Sequence, residues 1–287
     1  MEWGRAAIVA LLLLAGPLAA QGVAAGTAPP VALPSTETRT LRSASNGIEY
    51  RLYVSRPPGY DTTTVRYPVV YMLDADYSFP VAHAVATHLT ERSHLPPIVL
   101  VAIAYPGPLQ YRLNRTRDYT PIYFPTGGYG PEIQKVSGGG PKFLAFLKAE
   151  LIPFVEANYR VSSDRTLVGH SYGGLFTLWV ALTEPTLFRR SLAVSPSIWY
   201  ADQMLLRLEQ SQRRAGVTLP PRLYMTAGDL EDPIMASDLR RLERQLRARR
   251  GPGAIRAEVL EGETHNSIFP SGFSRGLRWL FEDLGAR

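Results

Sequence analysis

The stretch Arg165-Thr166-Leu167-Val168-Gly169-His170-Ser171-Tyr172-Gly173-Gly174-Leu175-Phe176 decides how the chain is read. Its first part is a short β-branched run; from Tyr172 to Leu182 the pattern is helical. Between them Gly169-His170-Ser171-Tyr172-Gly173 fits G-x-S-x-G, the turn that lifts a serine above the edge of a sheet. Such a turn forces the serine into strained backbone angles, and small residues two before and two after it let neighbouring backbone pack closely. The following N–H groups converge at the positive end of the helix, where a developing anion is stabilised. The motif alone is weak; set between this strand and this helix it is specific.

Working outward, other short apolar runs end in polar or turn residues: Pro68–Leu73 before Asp74, Ile98–Ala104 before Tyr105-Pro106-Gly107, Ser191–Val194 before Ser195-Pro196, Leu223–Ala227 before Gly228-Asp229, and Ile255–Leu260 before Glu261-Gly262. Continuous apolar runs imply strands buried on both faces, as in a parallel sheet. Ile48–Ser55 alternates and predicts an early antiparallel strand. Helical spacing follows over Pro141–Asn158, where Pro153 should kink or split the helix, over Ile234–Arg250 and over Pro270–Leu284. Strands alternating with helices predict an α/β fold with a mostly parallel central sheet and helices on both faces. Tyr105–Gly140 stands apart: with five Tyr, seven Gly and scattered Pro, it reads as a structured wall over a pocket beyond the strand ends.

Arg5, the apolar run Ala6–Leu18 and the small residues Ala19, Ala20, Gly22, Ala24 and Ala25 match a secretory signal over residues 1–25. A flexible lead-in over 26–37 and a single domain over 38–287 are expected, with no membrane span after signal cleavage and a periplasmic or extracellular location. The chain has no Cys, which excludes disulfides, thiolate metal sites and a cysteine nucleophile. The net charge of +6 comes from dispersed Lys and Arg interleaved with acids, so no nucleic-acid partner is expected.

Ser171 needs a base from elsewhere in the fold. His170 adjoins it, but its side chain is expected to leave the turn toward the core. His83, His88 and His94 precede the nucleophile, whereas chain order in this architecture runs serine, acid, histidine. That leaves His265, in Glu261-Gly262-Glu263-Thr264-His265-Asn266-Ser267. The acid must follow a strand between the two, where Asp229, Glu231 and Asp232 crowd one loop; spacing does not choose among them. The oxyanion hole needs two backbone donors: Tyr172 N–H, and a second from Asp74-Ala75-Asp76.

Five segments now occur in order: Tyr71-Met72-Leu73-Asp74-Ala75-Asp76, Gly169–Gly174, Ser195-Pro196-Ser197-Ile198-Trp199, Gly228-Asp229-Leu230-Glu231 and Gly262–Ser267. Together they resemble the esterase D-like family of α/β hydrolases, in pattern nearest its siderophore-esterase-like members, over nearly all of the chain after residue 40. The resemblance implies an α/β-hydrolase fold, Ser171 as nucleophile, His265 as base and Glu231 as acid. It implies the second oxyanion donor at Asp76 N–H and substrate contacts from Trp199, Tyr172 and Arg117, the last in a turn with Asp118 and Thr120-Pro121. Ala75 departs from the family, where Gly is commoner.

The expectation is an exported serine esterase that cleaves carboxylic esters of small molecules through an acyl-enzyme, of siderophore-ester or short-acyl type, with no metal or organic cofactor. An acyltransferase using the same Ser–His pair, and a non-catalytic secreted binding module on this fold, are the rival readings.

Overall fold

The computed structural model describes residues 31–107, 110–250 and 254–285; the expected signal over 1–25 lies outside them. Eight strands form one sheet in the order β1-β2-β4-β3-β5-β6-β7-β8. They are β1 (Thr36–Arg42), β2 (Glu49–Ser55), β3 (Tyr67–Met72), β4 (Val99–Ala104), β5 (Val161–His170), β6 (Arg190–Val194), β7 (Arg222–Gly228) and β8 (Ile255–Leu260). From β4 to β8 every neighbouring pair is parallel; β1 and β2 add an antiparallel edge. The fold is therefore the expected mostly parallel α/β sheet. β1 begins two residues inside the stretch expected as lead-in.

Strand alternation sorts side chains into two cores. Val69 and Tyr71 of β3 face one cluster and Val70 and Met72 the other, as a period of two requires. Helices α1 (Ala75–Glu91) and α9 (Ile268–Leu280) cover the second face through Phe79, Ala82, Phe273 and Leu277. The first face is covered by α4 (Gly140–Phe146), α5 (Ile152–Asn158), α6 (Tyr172–Thr183), α7 (Tyr200–Arg214) and α8 (Pro233–Arg250). Each fully buried Phe or Leu in these layers stabilises the fold by roughly 1.5–3 kcal/mol.

The expected break near Pro153 takes the form of a π-helical turn, Leu147–Leu151, between α4 and α5. Proline has no N–H to continue the ladder, and the wider turn lies directly before it. α7, not anticipated from the sequence, opens with Ala201, Asp202 and Gln203 in left-handed backbone. Arg207 donates to the carbonyls of Ala201 and Asp202 and closes that reversal.

The segment after β4 is ordered as a wall. It carries α2 (Tyr111–Tyr119) and the single turn α3 (Pro131–Gln134). Gln134 donates to the Tyr172 hydroxyl (2.7 Å), and the Tyr200 hydroxyl donates to Ile122 O (3.0 Å). A side chain at Gly128 would overlap the Tyr172 hydroxyl at 1.9 Å, so the wall seats directly on the residue that follows Ser171.

Candidate active site

Ser171 lies between β5 and α6 with φ 59° and ψ −116°, a conformation that costs on the order of 1–3 kcal/mol outside glycine. The surroundings hold it there. Ser171 N–H donates to Val194 O and Ser197 N–H donates to Ser171 O, pinning the turn to the end of β6. A Cβ at Gly169 would lie 2.2 Å from the backbone carbonyl of Gly173. One at Gly173 would lie 2.8 Å from Asp74 Oδ2. These contacts are why the motif needs glycine on both sides of the serine.

His265 sits in the turn between β8 and α9. Its Nδ1 lies 2.6 Å from Glu231 Oε2. A carboxylate can only accept, so Nδ1 carries the proton and Nε2 keeps a free lone pair. Glu231 follows β7, and its other oxygen accepts from Gly228 N–H (2.6 Å) and the Ser195 hydroxyl (2.5 Å). Burial works against its charge, but the hydrogen bonds from His265, Ser195 and Gly228 outweigh it and hold the carboxyl below the ordinary glutamate range. Asp229 instead accepts from Gly262 N–H, and Asp232 from Ile234 N–H in the first turn of α8.

Ser171 and His265 line the same two adjoining clefts. They do not hydrogen-bond directly in this geometry; such contacts commonly tighten only around bound substrate. One cleft, about 410 Å³, is walled by Tyr77, Tyr111, Arg112, Tyr129 and Phe269. The other, about 370 Å³, is walled by Tyr172, Ser197, Trp199, Asp232 and Met235. Trp199 and Tyr172, for which substrate contacts were expected, both line this second cleft. The Tyr172 amide opens α6, and Asp76 lies in the first turn of α1 at the end of β3, the strand beside β5. Burial raises the Asp76 carboxyl pKa, and its Oδ1 accepts from Tyr105 N–H (3.3 Å).

Arg117 is a correction. It lines neither cleft; its guanidinium donates to Asp118 (2.8 and 2.9 Å) and to Asn114 Oδ1 (2.8 Å). Two positions are about 200° apart on a helix of 3.6 residues per turn, so Arg115 of α2 faces the site instead. Only 1% exposed, Arg115 lines both clefts. It grips both carboxylate oxygens of Asp74 (2.9 and 3.2 Å), donates to His170 O (3.1 Å) and donates to the Tyr129 hydroxyl (2.5 Å). One buried cation therefore joins the loop after β3, the serine turn and the wall. Its sequence signal was slight: an Arg among Tyr111, Tyr119 and Tyr129, whose rings all lie within 6.0 Å of its Cζ.

His170 has a contact the sequence did not show. Its ring is buried on the core side of the turn as expected, beside Phe269, but it also packs against His265, with centroids 4.7 Å apart. His83, by contrast, is a buried helix residue bonded to Ser55 (2.8 Å). Among the described residues no group of His, Asp and Glu is arranged to hold a metal ion, and no helix is long and apolar enough to cross a membrane.

The family model described as Putative esterase matches residues 43–276. The chain belongs to this family. It is thus a hydrolase acting on esters, built on the α/β-hydrolase fold. It is 32% identical to the ferri-bacillibactin esterase BesA of Bacillus subtilis, over 91% of this chain and 94% of the relative. It is also 32% identical to the siderophore triacetylfusarinine C esterase of Aspergillus fumigatus, over 88% and 96%. Among solved structures, an IroE-like serine hydrolase from Shewanella oneidensis superposes with a TM-score of 0.78 at 27% identity, covering 86% of this chain and 80% of that one. The siderophore hydrolase EstB of Aspergillus nidulans superposes at 0.77 and 28%, covering 90% and 98%.

Proposed function

We propose that this family member is an exported serine esterase that opens siderophore-type carboxylic esters through an acyl-enzyme. The observation that carries the reading is the Glu231–His265 hydrogen bond, which leaves Nε2 as the accepting nitrogen on a ring that shares both clefts with Ser171. Ser171 Oγ bonds to the ester carbonyl carbon as its proton passes to His265 Nε2, and the Tyr172 and Asp76 amides take the oxyanion. Collapse breaks the bond to the leaving oxygen, which receives that proton as the alcohol departs. Water, deprotonated by His265, then releases the acid and frees Ser171. Glu231 keeps the proton on Nδ1 and stabilises the imidazolium.

The substrate class rests on the kinship with the two siderophore esterases named above, and on two clefts flanking one serine, room for both sides of an ester. Export rests on the pattern of residues 1–25, with the catalytic domain following. Ser171→Ala is expected to lower p-nitrophenyl butyrate turnover by about 10⁶-fold and to abolish labelling by a fluorophosphonate. A variant that keeps more than a few per cent of activity overturns the assignment. Esters of graded acyl length, run beside a triscatecholate and a hydroxamate siderophore ester, test the substrate class.

A further inference from the structure

His170 lies outside the serine–histidine–acid set, yet it contacts His265, Tyr77 and Arg115 at once. A carbonyl oxygen 2.9 Å from its Nε2 belongs to His265. A carbonyl only accepts, so Nε2 carries the proton; Nδ1 must then accept from the Tyr77 hydroxyl, 2.8 Å away. Arg115 donates to its backbone carbonyl, and the edge of Phe269 from α9 closes the remaining side, 6.3 Å between centroids. Burial above all, with the neighbouring His265 and the Arg115 charge, pushes its pKa down to about 3, in keeping with a neutral ring in this tautomer.

We infer that His170 is the positioning residue that fixes the distance between nucleophile and base. It adjoins Ser171 on the last rung of β5, so its main chain moves with the serine, while its side chain holds the main chain of His265. Glu231 orients the base's ring from one side; His170 holds the base's backbone from the other and limits the swing of the ring by direct contact. Tyr77, one residue beyond Asp76, ties the oxyanion loop to the same imidazole. The three parts that must converge on a carbonyl carbon are thereby referenced to one rigid dipeptide. A misplacement of about 1 Å among such groups can cost 10²-fold in rate.

The inference rests on the serine-esterase reading, and the test separates the two. Gln at position 170 places an amide nitrogen where Nε2 was and can still donate to His265 O; Asn reaches only toward Tyr77. His170→Gln should keep kcat within about fivefold of the parent, while His170→Asn should lose about 10- to 100-fold, with most of that loss in kcat rather than in KM. Equal activity of the two variants, or a defect confined to KM, overturns the inference. So does failure of both to fold, which would make His170 a scaffold residue. Ser171→Ala, measured alongside, reports on the underlying reading: surviving activity there removes the nucleophile assignment whatever the His170 pair does.

Discussion

Replacing Glu231 by Gln keeps the shape of the side chain and removes one acceptor. Oε1 receives two donors, Gly228 N–H at 2.6 Å and the Ser195 hydroxyl at 2.5 Å, and Oε2 receives His265 Nδ1–H at 2.6 Å. Gly228 N–H is fixed backbone and can only donate, so the Gln oxygen must take the Oε1 position. The amide nitrogen is then forced against His265 Nδ1, which must become an acceptor. The ring's proton moves to Nε2, and that nitrogen can no longer take one from Ser171. The wrong tautomer should lower kcat by about 10²- to 10⁴-fold with the fold intact. Ser195→Ala withdraws one of the two donors and leaves Glu231 charged, so its loss should be about tenfold or less. Steady-state hydrolysis of p-nitrophenyl butyrate, with melting curves to establish folding, reads both. A folded Glu231→Gln enzyme within threefold of the parent would refute the role given to the carboxylate.

Gly169→Ala places a methyl 2.2 Å from the Gly173 carbonyl; urea titration should show a loss of about 3 kcal/mol or an unfolded chain, and a loss below about 1 kcal/mol would contradict the packing described. His170 is neutral in the native state, with its pKa near 3 against an ordinary 6.5. The unfolded chain therefore binds a proton that the native state refuses as pH falls below 6.5. Its contribution is whole above that value and erodes toward pH 3, by roughly 2 kcal/mol at pH 5. Unfolding free energies from urea titrations at pH 7 and pH 5 should differ less in His170→Gln than in the parent, by about that amount; equal differences would count against the neutral ring. Arg117→Ala leaves the carboxylate of Asp118, 1% exposed, without its ion pair and should cost about 3 kcal/mol with KM unchanged; a raised KM would return Arg117 to the substrate site.

That Ser171 and His265 would share one cleft was legible because their positions are written locally, in a turn motif and in chain order. That Glu231, rather than Asp229 or Asp232 of the same loop, would reach His265 was legible only through the resemblance. Arg115 and His170 were not legible. Their partners Asp74, Tyr129, Tyr77 and His265 lie far along the chain, and no periodicity links them. Where a turn around Arg117 was expected, the chain forms α2 (Tyr111–Tyr119), and the helix turns Arg115 to the clefts. β1 was missed for another reason: Thr36-Glu37-Thr38-Arg39-Thr40 is an edge strand with polar residues on both sides, and such strands lack the apolar alternation that marks their neighbours.

The Arg115 guanidinium bears on how this scaffold can diversify. The wall over residues 110–140 can change while strands, serine turn and the His265 loop stay as they are, because it is added beyond the strand ends. That freedom stops at one cation, shared by Tyr129 of the wall, the backbone of His170 and the carboxylate of Asp74. A graft of another relative's wall would transplant selectivity without harming turnover only if it brought an arginine to the same spot.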